Sequence, residues 1–264
     1  MKLGCCLNVN ALEPYGIGGE AISACKEFGY DYIELPLAQV MDLSGDEFGR
    51  LLDGIKSGGT PVGACNIFFP GSIRFVGEDA MTGPAIEYAK RACDRAAAMG
   101  AEIIVLGSSK SRNIPEGFPR EHARRQFIAL LGNIQEIAGP LGITVVLEPL
   151  NRGECNFINS AEEGLGIVRE AALDNIKLLI DYYHMRVENE STAVIAKCKD
   201  ALRHIHIAAK NGRAFPSPND GEDYAGFFSA LKAAGYDGRV SIEAHSTDLA
   251  GDAARSAELL RAHM

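Results

Sequence analysis

A chain of 264 residues that is 47% hydrophobic and lacks tryptophan is long enough to bury a large core without disulfides or a structural metal. A net charge of −9 with no basic run of five or more residues weighs against an extended phosphate-binding surface, so no nucleic-acid partner is expected. Seven cysteines at irregular spacing without a CxxC pair read as reduced core thiols; with no apolar window near ~20 residues and no leader-like N-terminus, the chain reads as a soluble cytoplasmic protein without a membrane partner.

Short apolar runs alternate with longer segments of helical spacing. In chain order the predicted strands lie in KLGCCLN, DYIELP, PVGACNIFF, EIIVLG, ITVVLEP, IKLLIDYY, HIHIA and VSIEAH, eight in all. Helical spacing appears in AISACKEFG, PAIEYAKRACDRAAAMG and REHARRQFIALLGNIQEIAG. Gly29, Gly100, Gly142 and Gly235 each follow a helical run, where a left-handed residue ends a helix, and Asn159-Ser160 before Glu162-Glu163 reads as an N-terminal cap. The strands are apolar throughout, as parallel strands covered on both faces are. Eight such βα units over 1–264 predict one domain, a closed (β/α)8 TIM barrel of the α/β class.

The last four predicted strands end in residues of metal-ligand type. Glu148 ends the fifth, Asp181 the sixth with His184 three residues on, His204 and His206 lie in the seventh, and Glu243 ends the eighth. In a closed barrel these strand ends converge on one mouth. Three carboxylates crowded there repel one another unless a cation or protons neutralise them. Three oxygen donors and an imidazole suit one divalent cation, Mn²⁺ foremost, with Mg²⁺, Co²⁺ or Zn²⁺ as alternatives. Each residue also has a plainer role open to it. Glu148 can be a cap or a surface charge, Asp181 can form an Asx turn, and one of His204 and His206, which share a strand face, can be a core histidine. His206, nearer the mouth, is the favoured ligand. Phe68, Phe69 and Phe75 form either an apolar wall over a substrate or ordinary packing.

These motifs resemble those of the sugar phosphate isomerase/epimerase superfamily, the xylose-isomerase-like barrels, along the whole chain. EPLNRGE is similar to its Glu-x-x-Asn-Arg-x-Glu, DYYHM to its Asp-x-x-His-Met, HIHIA to its His-x-His strand and GYDGRVSIEAH to its last strand; VLGSSKSRNIPEGF resembles a stretch after the fourth strand. Within the superfamily the chain looks most like ketose 3-epimerases of the tagatose and psicose type and hydroxypyruvate isomerases. The resemblance implies Glu148, Asp181, His206 and Glu243 as metal ligands, with Glu148 and Glu243 also the acid/base pair. It implies Glu154, His184 and an arginine after the seventh strand as substrate contacts. Here HIAAKNGR is one residue longer than the epimerase pattern, so Arg213 or Lys210 takes that arginine's place.

The expected reaction is proton transfer through an enediolate of a ketose, C3 epimerisation foremost. Alternatives are aldose–ketose isomerisation of the hydroxypyruvate type, direct hydride shift, dehydration of a polyol, and a non-catalytic sugar-binding barrel. The expected partner is a small ketose or hydroxy-keto acid, the expected assembly a homodimer or homotetramer. An endonuclease on this fold would need more histidines than the six present and a basic groove.

Overall fold

The computed structural model describes residues 1–9 and 19–264. Each predicted apolar run contains a strand: β1 Lys2–Cys6, β2 Tyr32–Pro36, β3 Val62–Asn66, β4 Ile103–Leu106, β5 Thr144–Leu147, β6 Ile176–Asp181, β7 Leu202–Ile207 and β8 Arg239–Ile242. Neighbours pair in parallel in chain order, and β1 pairs with β8 to close the barrel. The predicted helices appear as Gly19–Glu27, Thr82–Met99 and Arg120–Ala138. The helix Thr82–Met99 stops at Gly100 (φ 83°), in the left-handed region that an L side chain rarely adopts. Ser160 caps the helix Ala161–Ala171 by accepting from the Glu163 N–H at 3.1 Å.

The barrel interior follows from strand parity. Side chains alternate between the lumen and the surrounding helices. Ala64, Ile103, Val105, Val146 and Leu179 form a small apolar cluster of their own. Their strand neighbours Cys65, Ile104, Leu106, Val145, Leu147 and Ile180 belong instead to the large cluster beneath the helices. The small cluster is thus the lumen layer, and residues two positions further along each strand point into the same lumen. Tyr32 fills the lumen's floor because β1 and β3 withdraw: a Cβ at Gly4 would lie 2.3 Å from its ring and one at Gly63 2.6 Å. Six cysteines are buried, Cys6 is half-buried, and all seven are free thiols. No described helix is long and apolar enough to cross a membrane.

Candidate metal and substrate site at the barrel mouth

At lumen parity β5 and β6 run from apolar Val146 and Leu179 into Glu148 and Asp181, and β7 and β8 carry polar residues, His204 and His206 on the one and Ser241 before Glu243 on the other. Glu148 directly follows β5, Asp181 ends β6, His206 is the penultimate residue of β7, and Glu243 directly follows β8. Asp181 lies in register beside His206. One ligand atom from each of Glu148, Asp181, His206 and Glu243 falls within 4.8 Å of all the others. Glu148, Asp181 and His206 are buried and Glu243 is half-buried.

Hydrogen bonds divide these atoms between structure and site. Asp181 Oδ1 accepts from the Tyr183 N–H at 2.8 Å and caps the helix Tyr182–Glu188, while Oδ2 lies 3.4 Å from His184 Nε2. The Asx turn and a place in the cluster are therefore both realised. Glu243 Oε1 accepts from Asn66 Nδ2 at 2.6 Å. His206 Nδ1 lies 3.4 Å from both Glu148 Oε1 and Glu243 Oε2. Glu148 Oε1, His206 Nδ1 and His184 Nε2 are buried and have no hydrogen-bond partner among the described residues. Buried polar atoms left without partners are costly, and the two acceptors among these, Glu148 Oε1 and His206 Nδ1, gather where a small cation would satisfy them. Three carboxylates and one imidazole are donors that divalent ions of the manganese or magnesium kind accept. The residues present fit a divalent cation.

The crowded charges act on one another. Burial pushes the Glu148 carboxyl above its usual range, with the Glu243 charge adding to the effect. Burial likewise raises Asp181 to about 6, against the pull of Arg213 and His206. Burial acts on Glu243 too, but His206 and Arg213 outweigh it and hold that carboxyl well below the usual range. For His206, burial opposes the charge, yet Glu34 and Glu243 hold it well above an ordinary histidine. Free of a cation, the cluster therefore retains protons.

The other predicted residues gather around the same mouth. Glu148, Glu154, His184, Arg213 and Glu243 all line a cavity of ≈ 300 Å³. His184 Nδ1 faces the Asn151 side-chain amide at 2.8 Å and the Asn151 backbone N–H at 3.3 Å. Two donors at Nδ1 leave the ring proton on Nε2, aimed at the cavity. Burial lowers the His184 pKa, which favours that neutral form. Arg213 donates to Glu243 and to Asp181 Oδ2 (3.3 Å), lies 3.6 Å from Glu154 Oε1, and stacks its guanidinium 4.7 Å over the Tyr183 ring. Lys210 is exposed, and its backbone N–H donates to Glu222 Oε1 at 3.1 Å. Gly212 (φ 68°) and Arg213 (φ 48°) are both left-handed in the turn after β7 that carries the arginine.

Phe68 is placed differently from the wall envisaged for it. It is 0% exposed and packs on Phe69, 4.2 Å between ring centroids, and Phe69 is the aromatic residue that lines the cavity. Phe75 is buried edge-on against Phe69, as packing. His204 is a fully buried core histidine, bonded to Glu34 at 2.8 Å.

Several contributors escaped the sequence reading. Arg112, fully buried, donates to the carbonyls of Glu148 (2.7 Å) and Leu106 (3.3 Å), which ties the ends of β5 and β4 together. Gly107 makes room for the acid itself: a Cβ there would lie 2.2 Å from Glu148 Oε2. Asn66 and Glu34 are single polar residues of otherwise apolar strands, at lumen parity.

A closed parallel barrel that gathers three carboxylates and a histidine at the C-terminal ends of its last four strands is a (β/α)8 barrel whose mouth could hold a divalent cation. More specifically, residues 22–263 match the family described as xylose isomerase-like TIM barrel, and the chain belongs to that family. It is similar to the ketose 3-epimerase of Arthrobacter globiformis, 28% identical over 233 residues that cover 87% of this chain and 78% of that protein. It is also similar to the 3-dehydro-D-guloside 4-epimerase of Escherichia coli, 28% identical over 226 residues and 83% of each chain. The crystal structure of D-allulose 3-epimerase from Methylomonas sp. shares the fold, with a TM-score of 0.86 at 21% identity over 100% of this chain and 98% of that one.

Proposed function

We propose that the protein is a divalent-cation-dependent ketose epimerase that moves a proton at C3. The observation that carries this reading is the placement of Glu148 and Glu243, which come from strands on different sides of the mouth. Both line the same cavity and both lie 3.4 Å from His206 Nδ1. The relatives are carbohydrate epimerases, and the ketose and the C3 position are carried over from the first of them.

A proton beside a ketone is weakly acidic, and its removal leaves an enediolate. A divalent ion held by Glu148, Asp181, His206 and Glu243, manganese foremost, supplies the positive charge that stabilises the developing oxyanion. The chain's own residues do the rest. One of Glu148 and Glu243 takes the proton from carbon, and the other returns one on the opposite face, which inverts the centre. In the reverse reaction the two exchange roles. His184 donates its Nε2–H to a substrate oxygen, Arg213 and Glu154 hold hydroxyls, and Phe69 walls the apolar side.

A second reading has a specific observation behind it. Lys110 lines the cavity and has no carboxylate partner among the described residues. A free ammonium at the rim suits a substrate that carries a carboxylate, as a hydroxypyruvate-type isomerase would take. NMR of a panel of ketoses and hydroxypyruvate, incubated with the Mn²⁺-loaded protein in D₂O and freed of metal before recording, decides between the two. Epimerisation with deuterium at the inverted carbon supports the first reading. Interconversion of hydroxypyruvate alone supports the second, product without deuterium means a hydride shift, and no turnover of any compound overturns both.

A further inference from the structure

The lumen holds an acid that the proposed reaction does not use. Glu34 lies in the middle of β2, two residues beyond Tyr32, and is 0% exposed. Its Oε1 is 2.9 Å from His206 Nε2. Its Oε2 is 2.8 Å from His204 Nε2 and accepts from the Ser241 hydroxyl at 2.5 Å. That hydroxyl is in turn 2.7 Å from the Tyr32 hydroxyl. A carboxylate this deep in the barrel, with both oxygens engaged by neighbouring side chains, is a built feature of the site's floor.

An ionised carboxylate can only accept, so each imidazole facing Glu34 must carry its hydrogen on Nε2. For His206 this leaves Nδ1 with a lone pair in the neutral ring. Nδ1 is the atom that has no hydrogen-bond partner among the described residues and lies 3.4 Å from Glu148 and Glu243. A half-turn of the ring would put Cε1 where Nε2 stands and Cδ2 where Nδ1 stands, and would break the bond to Glu34. We infer that Glu34 is a positioning residue: through its bond to His206 Nε2 it fixes the tautomer and ring orientation that present Nδ1 to a divalent cation. The inference rests on the cation-dependent reading above. His204, on the same acid, is outside the cluster of ligand atoms and serves to hold the second oxygen of Glu34. Ser241 and Tyr32 brace that oxygen from the floor. The chain of contacts thus runs from Tyr32 through Ser241 and Glu34 to His206, with no part open to solvent.

Two measurements test this. In the Mg²⁺-saturated wild-type protein, ¹⁵N spectra are expected to show His206 protonated on Nε2 and not on Nδ1. Glu34→Ala is expected to weaken Mn²⁺ binding, measured calorimetrically, by about 10- to 100-fold, whereas His204→Ala, which leaves the Glu34–His206 bond in place, is expected to change it far less. A proton on Nδ1 in the wild-type spectrum overturns the inference. So does a folded Glu34→Ala protein that binds Mn²⁺ as tightly as the wild type. If Glu34→Ala does not fold, the wild-type spectrum decides alone. A wild-type protein that binds Mg²⁺ with His206 in the expected form, yet turns over no sugar, supports the role of Glu34 and counts only against the proposed reaction.

Discussion

Asn151 and His184 meet at 2.8 Å, side-chain amide to Nδ1, and the Asn151 backbone N–H reaches the same nitrogen at 3.3 Å. The asparagine's oxygen is occupied by the Gly153 N–H at 3.0 Å, which fixes the orientation of the amide. The histidine therefore offers a proton to the cavity.

Replacing Asn151 by Asp reverses that arrangement. A carboxylate opposite Nδ1 draws the ring proton to that side and turns Nε2 into an acceptor. The expected result for Asn151→Asp is a fall in kcat of about 100-fold or more, in the range attributed to a misplaced proton donor. Steady-state kinetics and the ¹⁵N shifts of His184 together check it. Unchanged kcat with the proton on Nδ1 would remove His184 from the proposed mechanism.

Glu148→Gln and Glu243→Gln keep size and shape but remove the group that moves the proton. Each is expected to lower turnover by about 10³-fold, with near-UV circular dichroism like the wild type. Near-normal activity in either variant means that another residue does the work.

Cation affinity is expected to rise with pH. In the cation-free cluster Asp181 holds its proton up to about 6, and His206 is held well above an ordinary histidine. A cation must displace those protons, so acid competes with it. Calorimetric titrations with Mn²⁺ should show tighter binding at pH 7 than at pH 5, with protons released on binding. Equal affinity at the two pH values would contradict this account.

Gly4→Ala tests the packing of the floor. The new methyl group would enter the Tyr32 ring, 2.3 Å away, in a lumen bounded on the other side by β3. The expected cost is about 1–3 kcal/mol, as for overpacked cores. Urea unfolding monitored by circular dichroism measures it, and an unchanged midpoint would mean that the ring can move aside.

The barrel was legible because its signal repeats. Eight apolar runs and glycine-terminated helices such as the one that stops at Gly100 leave few other arrangements. Glu148, Asp181, His206 and Glu243 were legible for a related reason: a charged or imidazole side chain at the end of an apolar strand is conspicuous, and four consecutive strands shared the feature. The inner supports were harder to see. Glu34 lies inside a strand instead of at its end, and its purpose depends on β7, about 170 residues away in the chain. Arg112 acts on backbone carbonyls, which no residue pattern marks. Phe68 and Phe69 are adjacent, and which of the two rings meets the cavity depends on the turn after β3, where Ile67 has φ 46°.

Gly107 bears on how such a protein could be given a new specificity. Because an oxygen of Glu148 fills the space beside its α-carbon, nothing bulkier can be introduced there without displacing the acid. Ile67, exposed at 43%, and the exposed Lys110 border the same cavity. Redesign of substrate preference should therefore start from these two perimeter positions and leave the inner floor as it is.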